Sequence, residues 1–224
     1  AVLPGFGGKA VLRLAESGVG LKELSWEDVL DPAGFNSGNF PFVIYAGREE
    51  YVRTVRETGD VERAIVRYLR GGGFLISFAT GPFPFYYDEK ERPVVSAGTF
   101  GFPVSQGWET PPADAKLKFE IDTGRLAGLP ASVPFPGSGD MRWRPCGPSG
   151  LSKGDVYIPL ARLTDGSGKI YGEGIAYIAH VVSEPRGGRN IYVWMRMWDV
   201  LSAGDLCLSI LRLGLGGSPR ERAN

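Results

Sequence analysis

The sequence predicts an α/β fold, a three-layer sandwich with a mostly parallel sheet, from two apolar runs and the helical pattern between them. Phe40–Ala46 and Phe74–Phe78 are short and almost continuously apolar, as is typical of strands buried on both faces. Asp60–Arg70 carries an apolar stripe at helical spacing, with Asp60 as its N-cap and Gly71–Gly73 as its end. This order of strand, helix and strand implies a right-handed crossover and a doubly wound sheet with helices on both faces.

Segments near both ends of the chain extend this prediction. Ala1–Leu3 has the pattern of a strand end, and Arg189–Met195 that of a further apolar strand. Ser202–Leu213 is expected to form the closing helix, because its leucines and isoleucine fall on one face.

Residues 82–152 differ from the rest of the single domain, residues 1–224, in having little helical periodicity and much Pro, Gly and Trp. We therefore expect a loop-rich insertion there, within which Lys116–Ile121 alternates as a strand. Asp155–Leu163 and Gly172–Val182 are predicted to pair as an antiparallel hairpin, because the Asp-Gly-Ser-Gly between them is a turn signal. The hairpin adds an antiparallel extension to the sandwich.

Composition argues against several classes of function. The 25 Lys and Arg equal the 25 Asp and Glu and are spread along the sequence, so no nucleic-acid partner is expected. No apolar run is long enough for a membrane span. One histidine and two separated cysteines are too few for a zinc site, and Gly5–Gly8 lacks the ending of a P-loop, so we predict neither a metal nor a cofactor. The apolar start without Met favours a fragment of a longer chain, and nothing indicates its compartment.

The stretch Tyr68–Gly81, in which a helix ends in three glycines before a buried strand and a glycine-containing turn, resembles the class I glutamine amidotransferase-like superfamily. ThuA-like proteins and the trimerisation domains of some β-galactosidases have similar patterns. The resemblance covers residues 1–81 and the final strand and helix from Arg189, and it implies a flavodoxin-like, Rossmann-like sandwich. Aligned with the family turn Gly-x-Cys-x-Gly, this chain has Ala79 at the nucleophile position.

The departures from that family predict a domain without glutaminase activity. Ala79 offers no nucleophile, and Val193–Asp199, where the resemblance places the family histidine, contains none. The hydroxyls of Ser77 and Thr80 have no positioned base. Our first hypothesis is therefore a non-catalytic module of a larger protein, whose partners are other domains of the same polypeptide or homo-oligomer partners.

The second hypothesis is a domain that binds a small polar ligand, such as a sugar, at the carboxyl ends of the strands. The middle of the chain offers aromatic, acidic and basic side chains that suit such a ligand, namely Tyr86, Tyr87, Asp88, Trp108, Arg142 and Trp143. The bulky segment Pro82–Glu89 either lines this site or fills it.

The third hypothesis is an atypical hydrolase that uses Cys146 and His180, with Asp140 as the orienting carboxylate. Arg144 beside the cysteine favours a reactive thiol. The simpler interpretations are a hydrogen-bonded strand histidine and an inert loop thiol. Cys207, among leucines, is expected to pack in the core.

Overall fold

The computed structural model describes most of the chain. The described residues are 1–3, 15–16, 18, 20–45, 52–53, 55–56, 59–78, 85–87, 93–95, 100–104, 109–112, 115–137, 143 and 145–216. Within them the helices are α1 (Trp26–Leu30), α2 (Val61–Arg70) and α3 (Ala203–Leu215), and Met195–Asp199 forms a 3₁₀ helix.

The strands follow one another along the chain as short segments before residue 135 and longer ones after it. They are β1 (Val43–Tyr45), β2 (Val52–Arg53), β3 (Val55–Arg56), β4 (Gly59–Asp60), β5 (Phe74–Ser77), β6 (Phe85–Tyr87), β7 (Pro93–Val95), β8 (Lys118–Ile121), β9 (Ser132–Pro134), β10 (Val156–Thr164), β11 (Ile170–Ala179) and β12 (Arg189–Val193). In the described part of the chain, seven of them form one sheet in the order β1-β5-β12-β11-β10-β8-β9. Two small sheets, β2-β6-β7 and β3-β4, complete the set.

The helix α2 forms where the sequence predicts it. Asp60 caps it by accepting a hydrogen bond from the Glu62 N–H at 3.0 Å, which satisfies one of the free donors at a helix start. Its apolar stripe is buried, and the Tyr68 hydroxyl donates to the Phe40 carbonyl at 2.9 Å. The burial of this stripe holds α2 against the strands that precede and follow it.

The main sheet is mixed, with two parallel and four antiparallel strand pairings among the described strands. Strands β1, β5 and β12 are parallel, and Val2 adds a parallel bridge to Ile44 beside them. From β12 onwards, β11, β10, β8 and β9 pair antiparallel. The predicted strand from Arg189, the closing helix and the hairpin are confirmed, whereas Ala1–Leu3 contributes isolated bridges at Val2 and no strand. The predicted three-layer, flavodoxin-like or Rossmann-like sandwich is wrong, because the sheet is a mixed, curled half-barrel with few helices.

The curl has identifiable causes in β10 and β11. Their pairing shifts register at three places between Pro159 and Thr164, and such bulges bend and twist a sheet. Phe119 of β8 consequently reaches Gly174 of β11, although β10 pairs between these two strands. Four aromatic rings pack together in this part of the structure, with centroids 5.3 to 6.4 Å apart: Phe119, Phe135, Trp143 and Trp194. The segment expected to be a loop-rich insertion supplies β8 and β9 to this curled part.

Gly174→Ala should destabilise the protein by about 1–3 kcal/mol, because a Cβ there would lie 2.7 Å from the Phe119 ring and 3.2 Å from the Met197 sulfur. Gly166→Ala is the matched control, since a Cβ at this exposed turn meets nothing within 4 Å. Urea denaturation of both variants measures the free energy of unfolding. Equal stability of the two variants would contradict the close contact between β8 and β11.

Candidate functional site

A cleft of about 820 Å³, which we call the His180 cleft, lies along β11. Its lining comprises residues 101–104, 145–147, 149–151 and 170–172, together with Glu109, His180, Ser183 and Glu184. His180 directly follows β11, at the sheet edge where β12 and β5 begin. The His180 end of the cleft therefore lies away from the carboxyl ends of the parallel strands, where the sequence predicts a ligand site, whereas residues 170–172 line the cleft at the start of β11.

Two loop segments build the walls of the cleft. The segment at Cys146 pairs with the start of β11, and the segment at Val104 pairs with the Cys146 segment. Cys146 exchanges backbone hydrogen bonds with Glu173, at 3.1 and 3.0 Å, and forms an antiparallel bridge with Val104. The Gly147 N–H donates to the Pro103 carbonyl at 3.1 Å. These backbone bonds fix both walls relative to the sheet.

Two buried side chains tie the wall at residues 100–101 to the sheet. Asn190 of β12 donates its amide to the Phe100 carbonyl at 3.0 Å. His180 Nε2 lies 2.7 Å from the Gly101 carbonyl, and because a carbonyl can only accept, Nε2 carries the proton. Gly101 has a φ of +78° and no room for a Cβ against the imidazole, so only glycine suits this approach.

The other nitrogen of His180 also faces protein groups. Its Nδ1 lies 3.1 Å from the Ser183 hydroxyl oxygen and 3.4 Å from Asp155 Oδ2. The side chains of His180 and Asp155 are 3% and 0% exposed. Both ring nitrogens of the only histidine thus face protein groups, and the Nε2 hydrogen bond to Gly101 holds the cleft wall in place.

Asp155 organises the turn that follows His180. Its Oδ1 accepts the N–H groups of Val181 and Val182 at 2.8 and 3.1 Å. Its Oδ2 accepts the Ser183 hydroxyl and the Ser152 N–H, the latter at 3.3 Å. Burial by itself would raise the pKa of Asp155, but these four donors outweigh it and hold that pKa well below its ordinary value. Asp155 is therefore a carboxylate at neutral pH.

Sequence reasoning missed Asp155, although a signal for it exists. In the β10–β11 hairpin Val156 pairs with Ala179, so that the next residues outward are Asp155 and His180. Counting equally in both directions from the predicted Asp-Gly-Ser-Gly turn places Asp155 opposite Ile178, two residues short of His180, and the register shifts between the two strands bring Asp155 to His180. The hairpin prediction thus brings the two residues near each other, and the register decides the contact.

Cys146 lines the same cleft as His180, but its thiol is in an unreactive environment. It is 1% exposed, and burial raises its pKa to about 12. Its side chain is hydrogen-bonded to the Tyr157 hydroxyl, which donates to Glu173 Oε2 at 2.6 Å. Both ring nitrogens of His180 face groups other than Cys146. Asp140, the third member of the predicted hydrolase set, lies outside the described residues.

The predicted ligand-binding residues are only partly described. Trp143 is 1% exposed and packs in the aromatic cluster, 5.8 Å from the Trp194 ring, so it belongs to the core and does not line the cleft. Tyr86 and Tyr87 lie in β6, and their side chains are not described. Most of Pro82–Glu89 lies outside the described residues. So do the remaining predicted positions, which are Ala79, Asp88, Trp108 and Arg142.

The charged side chains in the described lining of the His180 cleft are acidic. Glu109 and Glu184 contribute carboxylates, Ser149 and Tyr171 contribute hydroxyls, and the described lining contains neither Lys nor Arg. Pro103, Val104, Leu151 and Ile170 supply apolar surface. Such a lining suits a ligand with hydroxyl or ammonium donors and disfavours an anion.

Two further properties concern the described residues as a whole. They bring together no group of three or more His, Cys, Asp or Glu side chains able to hold a metal ion. None of their helices combines the length and the apolar character required to cross a bilayer.

Comparison with known proteins identifies no function, so a proposed function rests on this geometry. No protein-family profile and no curated protein matches the sequence. A cytoplasmic protein from Salmonella typhimurium is similar in structure, with a TM-score of 0.49, 11% sequence identity and coverage of 91% of this chain and 84% of the other. Similarity at that level carries no argument about function. The resemblance of Tyr68–Gly81 to amidotransferase-like proteins stays a prediction.

Asp155→Asn should lower the free energy of unfolding by about 2 kcal/mol at neutral pH, because an amide cannot accept all four donors. The folded-state pKa of Asp155 lies below the unfolded value of about 3.9, so the carboxylate stabilises the fold above about pH 4. That contribution declines as the pH falls towards the folded pKa. The gap between wild type and variant should therefore shrink by about 1 kcal/mol per pH unit below about pH 4.

Urea denaturation at several pH values checks this expectation. Asp199→Asn is the matched control, because Asp199 is exposed and pairs only at the surface with Arg196 at 2.7 Å, and it should cost less than about 1 kcal/mol. A gap for Asp155→Asn that stays constant from neutral pH to about pH 3 would show that Asp155 is not the ionised acceptor described above.

Proposed function

We propose that this chain is a non-catalytic binding module whose His180 cleft takes a small, polar ligand without negative charge, such as a neutral carbohydrate. The observation that carries the proposal is a cleft of about 820 Å³ whose described lining has hydroxyls and carboxylates but no cationic side chain. This volume falls within the range of small-molecule sites. Carboxylate and hydroxyl oxygens accept hydrogen bonds from sugar hydroxyls, and the apolar walls cover the carbon skeleton.

Support for a non-catalytic role comes from how the reactive groups are used. The Cys146 thiol, with its pKa raised to about 12, is not a thiolate at neutral pH. The His180 ring is committed to Gly101 on one side and to Ser183 and Asp155 on the other. A general base needs a nitrogen that is free to take a proton from a substrate or nucleophile. The described groups therefore favour binding over hydrolysis by Cys146 and His180.

A titration with neutral monosaccharides, followed by NMR, tests the proposal. His180 is the only histidine, so its ring signals are unique and report directly on the cleft. Leu151→Trp should weaken binding at least about tenfold, because the larger side chain fills the space between the walls. Leu215→Trp, at a position 65% exposed and outside the cleft lining, is the control and should bind like wild type.

The monosaccharide titration has outcomes that oppose the proposal. Sugar phosphates should bind less tightly than the parent sugars, because their charge meets Glu109 and Glu184. Phosphate-preferring binding that Leu151→Trp weakens, or neutral-sugar binding that Leu151→Trp leaves unchanged, would contradict a neutral-ligand site in this cleft. Hydrolysis that depends on Cys146 would contradict the non-catalytic assignment.

A second candidate function is contact with another domain or a second copy of the chain. Val181 and Val182 are 43% and 49% exposed, and Asp155 holds their backbone N–H groups. A turn fixed in this way presents two apolar side chains to solvent without further ordering cost, which favours a role in association.

Sedimentation velocity tests that second candidate. If the chain associates with itself through this turn, replacing both Val181 and Val182 by Ser should lower the association constant at least about tenfold. Leu215→Ser, at an exposed position on α3, should leave it unchanged. Association that is equally strong in all three proteins would exclude the Val181–Val182 turn as the contact.

A further inference from the structure

Two further clefts lie next to the turn that follows β11. One cleft of about 640 Å³ and another of about 650 Å³ adjoin here and share Arg70 and Glu184 in their linings. We call the two together the arginine groove. Its arginines come from two distant parts of the sequence: Arg63, Arg67, Arg70, Arg186 and Arg189. Its described lining has only two carboxylates, Glu62 and Glu184.

Helix geometry and the β11–β12 loop together assemble the groove. Arg63, Arg67 and Arg70 are spaced at i, i+4 and i+7 on α2 and therefore share one face, opposite the buried stripe. The loop closes on itself through a hydrogen bond from the Gly187 N–H to the His180 carbonyl at 2.7 Å. It lies against the end of this helix, because a Cβ at Gly188 would be 3.1 Å from the Leu69 Cβ. Gly187 itself sits so close that a Cβ would be 3.4 Å from the Arg70 carbonyl.

The arginines differ in how far internal partners neutralise them. Arg70 Nε donates to Glu184 Oε2 at 2.8 Å, and Arg63 lies 3.5 Å from Asp60. Arg189 stacks over the Phe74 ring at 5.0 Å, which orients its guanidinium without neutralising it. Arg67 and Arg186 are exposed. Positive charge is therefore in excess in the groove, although the whole chain has a net charge of zero.

A purely structural explanation accounts for only part of this cluster. Arginines in the last turn of α2 interact favourably with the helix dipole, which explains Arg67 and Arg70. Arg186 and Arg189 belong to a different element and approach the same end of the helix. Planar guanidinium groups converging from two elements match the oxygens of a phosphate group.

We propose that the arginine groove binds a phosphate-bearing ligand, with Glu184 as an internal carboxylate that occupies Arg70 until the ligand arrives. Glu184 fits this part, since it accepts from Arg70 Nε and, at 3.2 Å, from the Arg186 N–H. Its side chain is 65% exposed and free to move away. The groove differs from the His180 cleft in the sign of its charge, so the two sites take different ligands.

Isothermal titration of the full chain with pyrophosphate tests this site. Arg67→Gln and Arg186→Gln should each weaken binding about five- to tenfold, since each removes a charged donor. Arg212→Gln, on α3 and outside the groove lining, is the matched control and should change the affinity less than about twofold. Glu184→Gln should strengthen binding about threefold or more, because it removes the competing carboxylate.

The contrast between the groove variants and Arg212→Gln separates this proposal from general charge attraction. Weaker or unchanged binding by Glu184→Gln would overturn it, as would an equal loss of affinity in Arg67→Gln and Arg212→Gln. Vesicles of phosphatidylcholine with and without phosphatidic acid identify the source of the phosphate. Vesicle binding that pyrophosphate displaces assigns the site to a lipid headgroup and supports the proposal, whereas vesicle binding that pyrophosphate does not displace overturns it.

Discussion

The His180 cleft and the arginine groove both depend on the Asp155 carboxylate. A buried carboxylate without partners would be very costly, and this one is surrounded by four donors. Three of them belong to the turn at residues 181–183, so the carboxylate determines how the chain leaves β11. That exit places His180 against Gly101 on one side and leads the chain to Arg186 and Arg189 on the other. The wall of one site and half of the other therefore follow from a single ionised group.

The parts of the fold that the sequence predicts are those in which local pattern and tertiary packing agree. Helix α2 has a cap, an apolar stripe and a glycine stop within a dozen residues, and it forms as expected. The parallel pairing of β1 with β5 also follows from that local order. The layer architecture does not, because continuous apolar strands are equally compatible with a curled sheet filled by aromatic rings. Trp143 illustrates the difference: its residue type suits a binding surface, but its burial and its ring contacts show that it fills the core.

The candidate sites are predictable to different degrees. Residue type alone identifies Cys146 and His180, and both line one cleft, yet their hydrogen-bond partners give them structural roles. The predicted hairpin brings Asp155 near His180, but only the strand register shows that the two residues are neighbours. The arginine groove is beyond sequence reasoning, because more than a hundred positions separate Arg70 from Arg186 and the arginines are dispersed along the chain. A net charge of zero describes the sum of the charges and not their distribution, which only the fold determines.

The turn after β11 separates the His180 cleft, whose charged side chains are acidic, from the arginine groove, which has an excess of positive charge. Glu184 lines both of them, and its carboxylate lies towards Arg70. On the His180 side the same residue adds negative charge to a lining without cations, and on the arginine side it offsets part of a positive surplus. Asp155 fixes the backbone of the turn that leads to Glu184, and the exposed ion pair of Arg70 and Glu184 then sets the direction of this carboxylate. The reactive groups of the described residues are bound to internal partners, whereas several exposed charges are not, and that distribution is what a binding protein requires more than a catalyst does.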